Sequence, residues 1–215
     1  MKQQWNNEEF PHILEELYQK VLSGIPKVSK SVEELAEDYL KKHDTVEEAA
    51  KALINNQIAK CGTSGFLTGL GGVLTLPVAI PANVSQVLYV QMRMVAALAY
   101  MGGFAVDSDQ VQTLVYACLT GNAVSNVVKQ TGIRAGEKVT MAAIQKIPGK
   151  VLIEINKKIG FRLLAKSGTK SVVILGKLVP VAGGVIGGAF DIGSTRIISA
   201  NAYRLFITKR LPEEK

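Results

Sequence analysis

The sequence predicts an all-α protein, and three observations carry that prediction. Two segments, SVEE at Ser31–Glu34 and TVEE at Thr45–Glu48, place a hydroxyl residue three positions before a glutamate and ahead of apolar residues spaced by three and four, the pattern of a capping box opening a helix. Glycine pairs and prolines punctuate the rest at intervals that suit helices of ordinary length. Sustained period-two alternation is missing, although VLIEI and SVVILGKLV read locally as strands. The expected architecture is a single helical bundle built around two apolar helical hairpins broken by glycine and proline. An acidic amphipathic helical extension, residues 1–48, precedes the helical domain of residues 49–215. A chain of 215 residues suffices for one well-buried core.

The first helix follows from Phe10, Ile13, Leu14, Leu17 and Val21, which share one face at helical spacing. Ser31 and Thr45 then start the second and third. From Cys61 to Met92 the chain holds 32 residues without a charged side chain, interrupted by Pro77 and Pro81. A membrane span needs about 20 consecutive apolar residues, and the prolines divide this run, so a crossing helix is disfavoured. MGGFAVDSD ends the following helix at Gly102 and Gly103 and starts another at Asp107 or Ser108, extending around Val111–Val128. Pro148 and Gly149 mark a further boundary. Beyond it, KVLIEINKKIGFRLLAK places Leu152, Ile155, Ile159 and Leu163 on one face and Lys150, Glu154, Lys157 and Lys158 near the other.

The apolar run has an echo. Residues 77–100, PVAIPANVSQVLYVQMRMVAALAY, align without gaps on residues 180–203, PVAGGVIGGAFDIGSTRIISANAY, matching Pro-Val-Ala, Arg93 with Arg196, and Tyr100 with Tyr203. Each Arg precedes its Tyr by seven residues, two helical turns, so the pair shares a face. Gln86, Tyr89, Arg93 and Tyr100 form a polar stripe on an otherwise apolar helix. Arg93 and Asp191 each end a long uncharged run, where an unpaired charge is costly. Asp191 is therefore expected to form a buried ion pair with Arg93 or Arg196. Small residues at Gly65 and Gly69, and at Gly184 and Gly188, have the spacing that lets helix backbones approach closely.

Charge divides the chain. Residues 1–50 carry 6 Lys/Arg against 11 Asp/Glu, while residues 51–215 carry 19 against 7, balances of −5 and +12. The excess is concentrated between Lys129 and Lys177, where the candidate contacts for an anionic surface are Lys146, Lys150, Lys157, Lys158, Arg162, Lys166 and Lys170. Aromatics in that region reduce to Phe161, which leaves no stacking platform, and nucleic acid is disfavoured as a partner. The basic, apolar body points instead to a membrane surface or a membrane protein.

Familiar catalytic motifs are missing. His12 and His43, the two histidines, both lie in the acidic segment, and no HExxH, GxSxG, GxGxxG or GxxxxGK[ST] occurs. Cys61 and Cys118 lie far apart in apolar surroundings and read as buried thiols. No cofactor, metal ligand set or catalytic residue is expected. The N-terminus lacks the basic patch and apolar run of a signal peptide and reads as cytoplasmic.

TSGFLTGLGGVLTLPVAIPANVSQVLYVQMRMVAALAYMGGF, followed about eighty residues later by KLVPVAGGVIGGAFDIGSTRIISANAYRLF, resembles the EcsC protein family over roughly residues 50–208. The resemblance implies a helical bacterial protein, cytoplasmic or peripheral on the inner face of the membrane, in a family named for a member encoded beside an ABC transporter. It supplies no catalytic residues. The expected function is thus that of a non-enzymatic, membrane-peripheral accessory or adaptor protein whose basic face binds anionic lipid or a membrane partner. Two alternatives stand beside it: a carrier holding an apolar ligand or acyl chain between the glycine-rich helices, and a lipid-active enzyme with an unfamiliar site.

Overall fold

A computed structural model of the protein describes residues 9–62, 82–121, 124–133, 138–167 and 183–210. Among these residues the secondary structure is helical, as the periodicity predicts, with α1 Glu9–Ser23, α2 Val32–Leu40, α3 Val46–Gly62, α4 Ala82–Met101, α5 Asp109–Leu119, α6 Val124–Lys129, α7 Met141–Ile144, α8 Gly149–Ser167 and α9 Gly183–Ala202. A π-helical turn, Tyr203–Ile207, follows α9 directly. Pro77, Pro81, Gly65 and Gly69, which carry the break expected in the first hairpin, lie outside the described residues.

Local signals account for most of the helix ends. Ser31 caps α2 with a complete capping box: its hydroxyl accepts from the Glu34 amide at 3.1 Å and the Glu34 carboxylate accepts from the Ser31 amide at 3.0 Å. Thr45 accepts from the Glu48 amide at 3.2 Å ahead of α3, and Ser108 caps α5. The end of α4 is a Schellman motif. Phe104 N–H donates to the Ala99 carbonyl and Gly103 N–H to the Tyr100 carbonyl, with Gly103 at φ +81°. The helix expected around Val111–Val128 is divided in two, because Gly121 adopts φ +66° between α5 and α6.

The core is organised around α4. Of its residues from Leu88 to Ala99, every one is buried, and α1, α2, α3, α5, α9 and the π turn all pack against it. Met92, Met94 and Leu98 are fully buried, each stabilising the fold by about 1.5–3 kcal/mol through apolar area removed from water. α8 packs at one side against α1 and α5, burying Leu152, Ile155 and Ile159 as its spacing predicts. Where α4 ends, the chain comes close to its own C-terminal segment. A Cβ on Gly102 would stand 2.2 Å from the Phe206 carbonyl oxygen, and Phe104 and Phe206 stack edge to face at 5.3 Å.

The acidic helices join the same core. Ile13, Leu14, Leu17, Tyr18 and Val21 of α1, and Val32, Leu35 and Ala36 of α2, are buried in one cluster with α4 and α5. Tyr18 donates to the Val106 carbonyl at 2.6 Å and Tyr116 to the Leu14 carbonyl at 3.0 Å, while Gln112 bridges Tyr116 and Glu15. Burial pushes both phenols well above the usual tyrosine range, so each stays a neutral donor. Cys118 is a fully buried thiol, as expected; the Cys61 side chain lies outside the described residues.

Candidate functional site

Gly24 starts the geometry of the site. At φ +75° it ends α1, and a Cβ there would stand 2.5 Å from the Ser29 carbonyl oxygen, so glycine lets the chain fold tightly back on itself. The loop closes through paired bonds between Ile25 and Ser29, with Lys27 at φ 65° in the turn. It thereby presents the Ser29 hydroxyl and the Lys30 carbonyl to the side of α4.

The polar stripe predicted on α4 meets this loop and the helix after it. Tyr89 and Ser29 share a hydrogen bond of 2.6 Å, Arg93 Nη2 donates to the Lys30 carbonyl at 2.7 Å, and Tyr100 makes a long 3.5 Å contact with Glu37 of α2. Arg93 is only 5% exposed, and its Nε is buried without an acceptor. Burial lowers the affinity of the guanidinium for its proton, an effect that the nearby Tyr89 and Tyr39 oxygens partly offset.

Arg93 forms the floor of a cleft of about 400 Å³ between the loop, α2, α3 and α4. Four of the lining side chains are cationic, Lys30, Lys42, Lys60 and Arg93, against one carboxylate, Asp38. Lys30 pairs with Asp38 at 2.5 Å, which draws the carboxylate below its ordinary range and engages it at the rim. Burial, and then the charge of Arg93, hold the Lys60 ammonium below the ordinary lysine range. Tyr39 and Asn56 supply neutral polar groups to the same wall.

The other predicted residues fall as follows. Arg196 is exposed on α9. The Asp191 side chain lies outside the described residues, and with it the expected pairing to Arg93 or Arg196. Among the described residues a polar link between α4 and α9 runs through Gln91, which donates to Thr195 at 2.9 Å and Ser194 at 3.1 Å. Gly184 and Gly188 belong to the first half of α9, in a part whose packing is outside the described residues. Lys146, Lys150, Lys157 and Lys158 are all exposed; Lys158 donates to Gln130 at 2.7 Å. The side chains of Arg162 and Lys166 on α8, and all of Lys170, lie outside the described residues.

Lys30, Lys42 and Lys60 did not stand out in the sequence, because the first two sit in a segment whose net charge is negative. The available signal was Lys60 itself, the last charge before the long uncharged run that Arg93 ends. Among the described residues no group of His, Cys, Asp and Glu could hold a metal ion, and no helix is long and apolar enough to cross a membrane.

The protein is therefore an all-α bundle organised around one buried, arginine-bearing helix. It matches the model of the EcsC protein family over residues 3–211, and it belongs to that family. The match takes in α1 and α2, whereas the resemblance read from the sequence began near residue 50. No curated protein and no solved structure matches the chain.

Proposed function

We propose that this EcsC protein is a non-enzymatic, membrane-peripheral accessory protein that docks on anionic lipid through the outer face of α8 and the turn before it. One observation carries the reading: Lys150, Ile153 and Lys157 are exposed along a single side of α8, with Lys146 in the preceding turn, while Leu152, Ile155 and Ile159 anchor the opposite side in the core. Ile153, at 58% exposure, is among the most open large apolar residues, and it stands between two lysines. A basic face with an apolar residue at its centre suits the boundary between headgroups and acyl chains. Each lysine near an anionic leaflet contributes roughly 1 kcal/mol.

Cosedimentation with anionic and with neutral vesicles at low and high salt tests the proposal. Binding is expected to anionic vesicles at low salt and to weaken at high salt as the charges are screened. Lys150→Glu with Lys157→Glu is expected to remove it. Absence of binding under all four conditions overturns the reading.

A further inference from the structure

Ile153 and Ile197 are the two most exposed large apolar side chains among the described residues, at 58% and 41%. The first belongs to the α8 face already assigned to lipid; the second is on α9. Ile197 stands beside the exposed Arg196, with Gly193 one turn before it and Ala200 one turn after it, both exposed as well. Because these neighbours are small, Ile197 rises above the rest of its helix face. A single exposed apolar residue is ordinary on a protein surface. What gives this one meaning is where it lies relative to Ile153.

Two hydrogen bonds tie α9 and α8 to opposite ends of α6. Asn201, four residues after Ile197 and so on the same side of α9, donates to the Gly121 carbonyl in the turn before α6 at 2.9 Å. Lys158 of α8 donates to Gln130, just after α6, at 2.7 Å. With six residues, α6 is only about 9 Å long. It buries Val124, Val127 and Val128, while Asn126, Lys129 and Gln130 are exposed. The outer faces of α9 and α8 are thus neighbours across one short helix, and the surface between their two isoleucines is polar and basic.

Building on lipid docking through α8, on which the idea depends, we propose that the docking surface extends across α6 to the outer face of α9. Ile153 and Ile197 then enter the boundary between headgroups and acyl chains together, while Lys157 and Arg196 meet anionic headgroups. The isoleucines gain by leaving water, and the long cationic side chains reach back to the headgroup level. A single helix leaves the protein free to roll on the leaflet. A second point of insertion fixes its orientation, and once the first is made the second follows at high effective concentration.

The experiment uses the full chain as Ile153→Trp and as Ile197→Trp, each combined with Trp5→Phe so that the new indole is the only one. Both are mixed with phosphatidylcholine vesicles containing phosphatidylglycerol, with and without brominated acyl chains. Quenching by bromine is expected at both positions. Quenching at 153 without quenching at 197 overturns the extended surface and leaves docking through α8 standing. Quenching at 197 alone removes the α8 part and with it the shared surface, and absence of vesicle binding overturns both. Arg196→Gln with Ile197→Asn is expected to weaken binding to the anionic vesicles about tenfold, through one lost charge contact and one lost insertion. Both positions are exposed, so an unchanged thermal melt by circular dichroism is expected alongside. Unchanged vesicle affinity in that double variant overturns the proposal. If sedimentation velocity shows that Ile197→Asn converts a dimer into a monomer while vesicle affinity is unchanged, the α9 face belongs to a second copy of the chain, and the proposal is likewise overturned.

Discussion

Helices α4 and α9 carry the same arginine-to-tyrosine spacing, Arg93 with Tyr100 and Arg196 with Tyr203, yet the surroundings of the two arginines are opposite. α4 is buried from Leu88 to Ala99, and Arg93 packs against the loop before α2. α9 buries Thr195, Ile198, Ser199 and Ala202 and turns Gly193, Arg196, Ile197 and Ala200 to solvent. The same spacing on a central and on a peripheral helix therefore has different consequences. On the peripheral helix water solvates the charge; on the central one the protein, or something it binds, must do so.

That comparison breaks most completely if α4 loses its cover. Deletion of residues 1–48 removes α1, α2 and the loop that accepts from Arg93, and it is expected to abolish cooperative thermal unfolding; a sharp melt by circular dichroism would show that α4 tolerates exposure as α9 does. Glycines provide the next contrast. Gly102→Ala forces a Cβ against the Phe206 backbone and is expected to cost about 3 kcal/mol in urea denaturation. Gly193→Ala, in an open position on α9, is expected to stabilise by roughly 0.5–1 kcal/mol because alanine is the better helix former.

The arginines themselves give smaller effects of opposite character. Arg93→Met replaces a buried charge, whose hydrogen-bond partner among the described residues is the neutral Lys30 carbonyl, by an apolar side chain of similar length, and a gain of about 1 kcal/mol is expected, offset in part by that carbonyl left without its donor. Arg196→Ala, at an exposed position, is expected to change stability by less than about 0.5 kcal/mol. Equal effects at the two sites would erase the distinction between them.

What the sequence shows of this fold is what neighbouring residues decide among themselves. Ser31 with Glu34, Gly103 at the end of α4, and the apolar face of α8 are all local matters of caps, turns and period. The stripe of Gln86, Tyr89, Arg93 and Tyr100 is legible for the same reason. Its partners are not, because Ser29 and Tyr89 are 60 positions apart and no periodicity encodes which loop arrives beside which helix. Net charge misled in a similar way: averaging over residues 1–50 hides that Lys30 and Lys42 line the same cleft as Arg93 while the glutamates Glu33, Glu34, Glu47 and Glu48 are exposed. Gly121 falls inside the helix expected around Val111–Val128, and that its φ is positive depends on where α5 and α6 each pack.

The central place of α4 also bears on how the chain is made. α9 and the π turn, which cover part of α4, are encoded about 100 residues after it. At synthesis rates of about 5–20 residues per second, that side of α4 waits on the order of 5–20 s on the ribosome without its final neighbours. A nascent chain presenting so apolar a helix for that long is a natural client for chaperones.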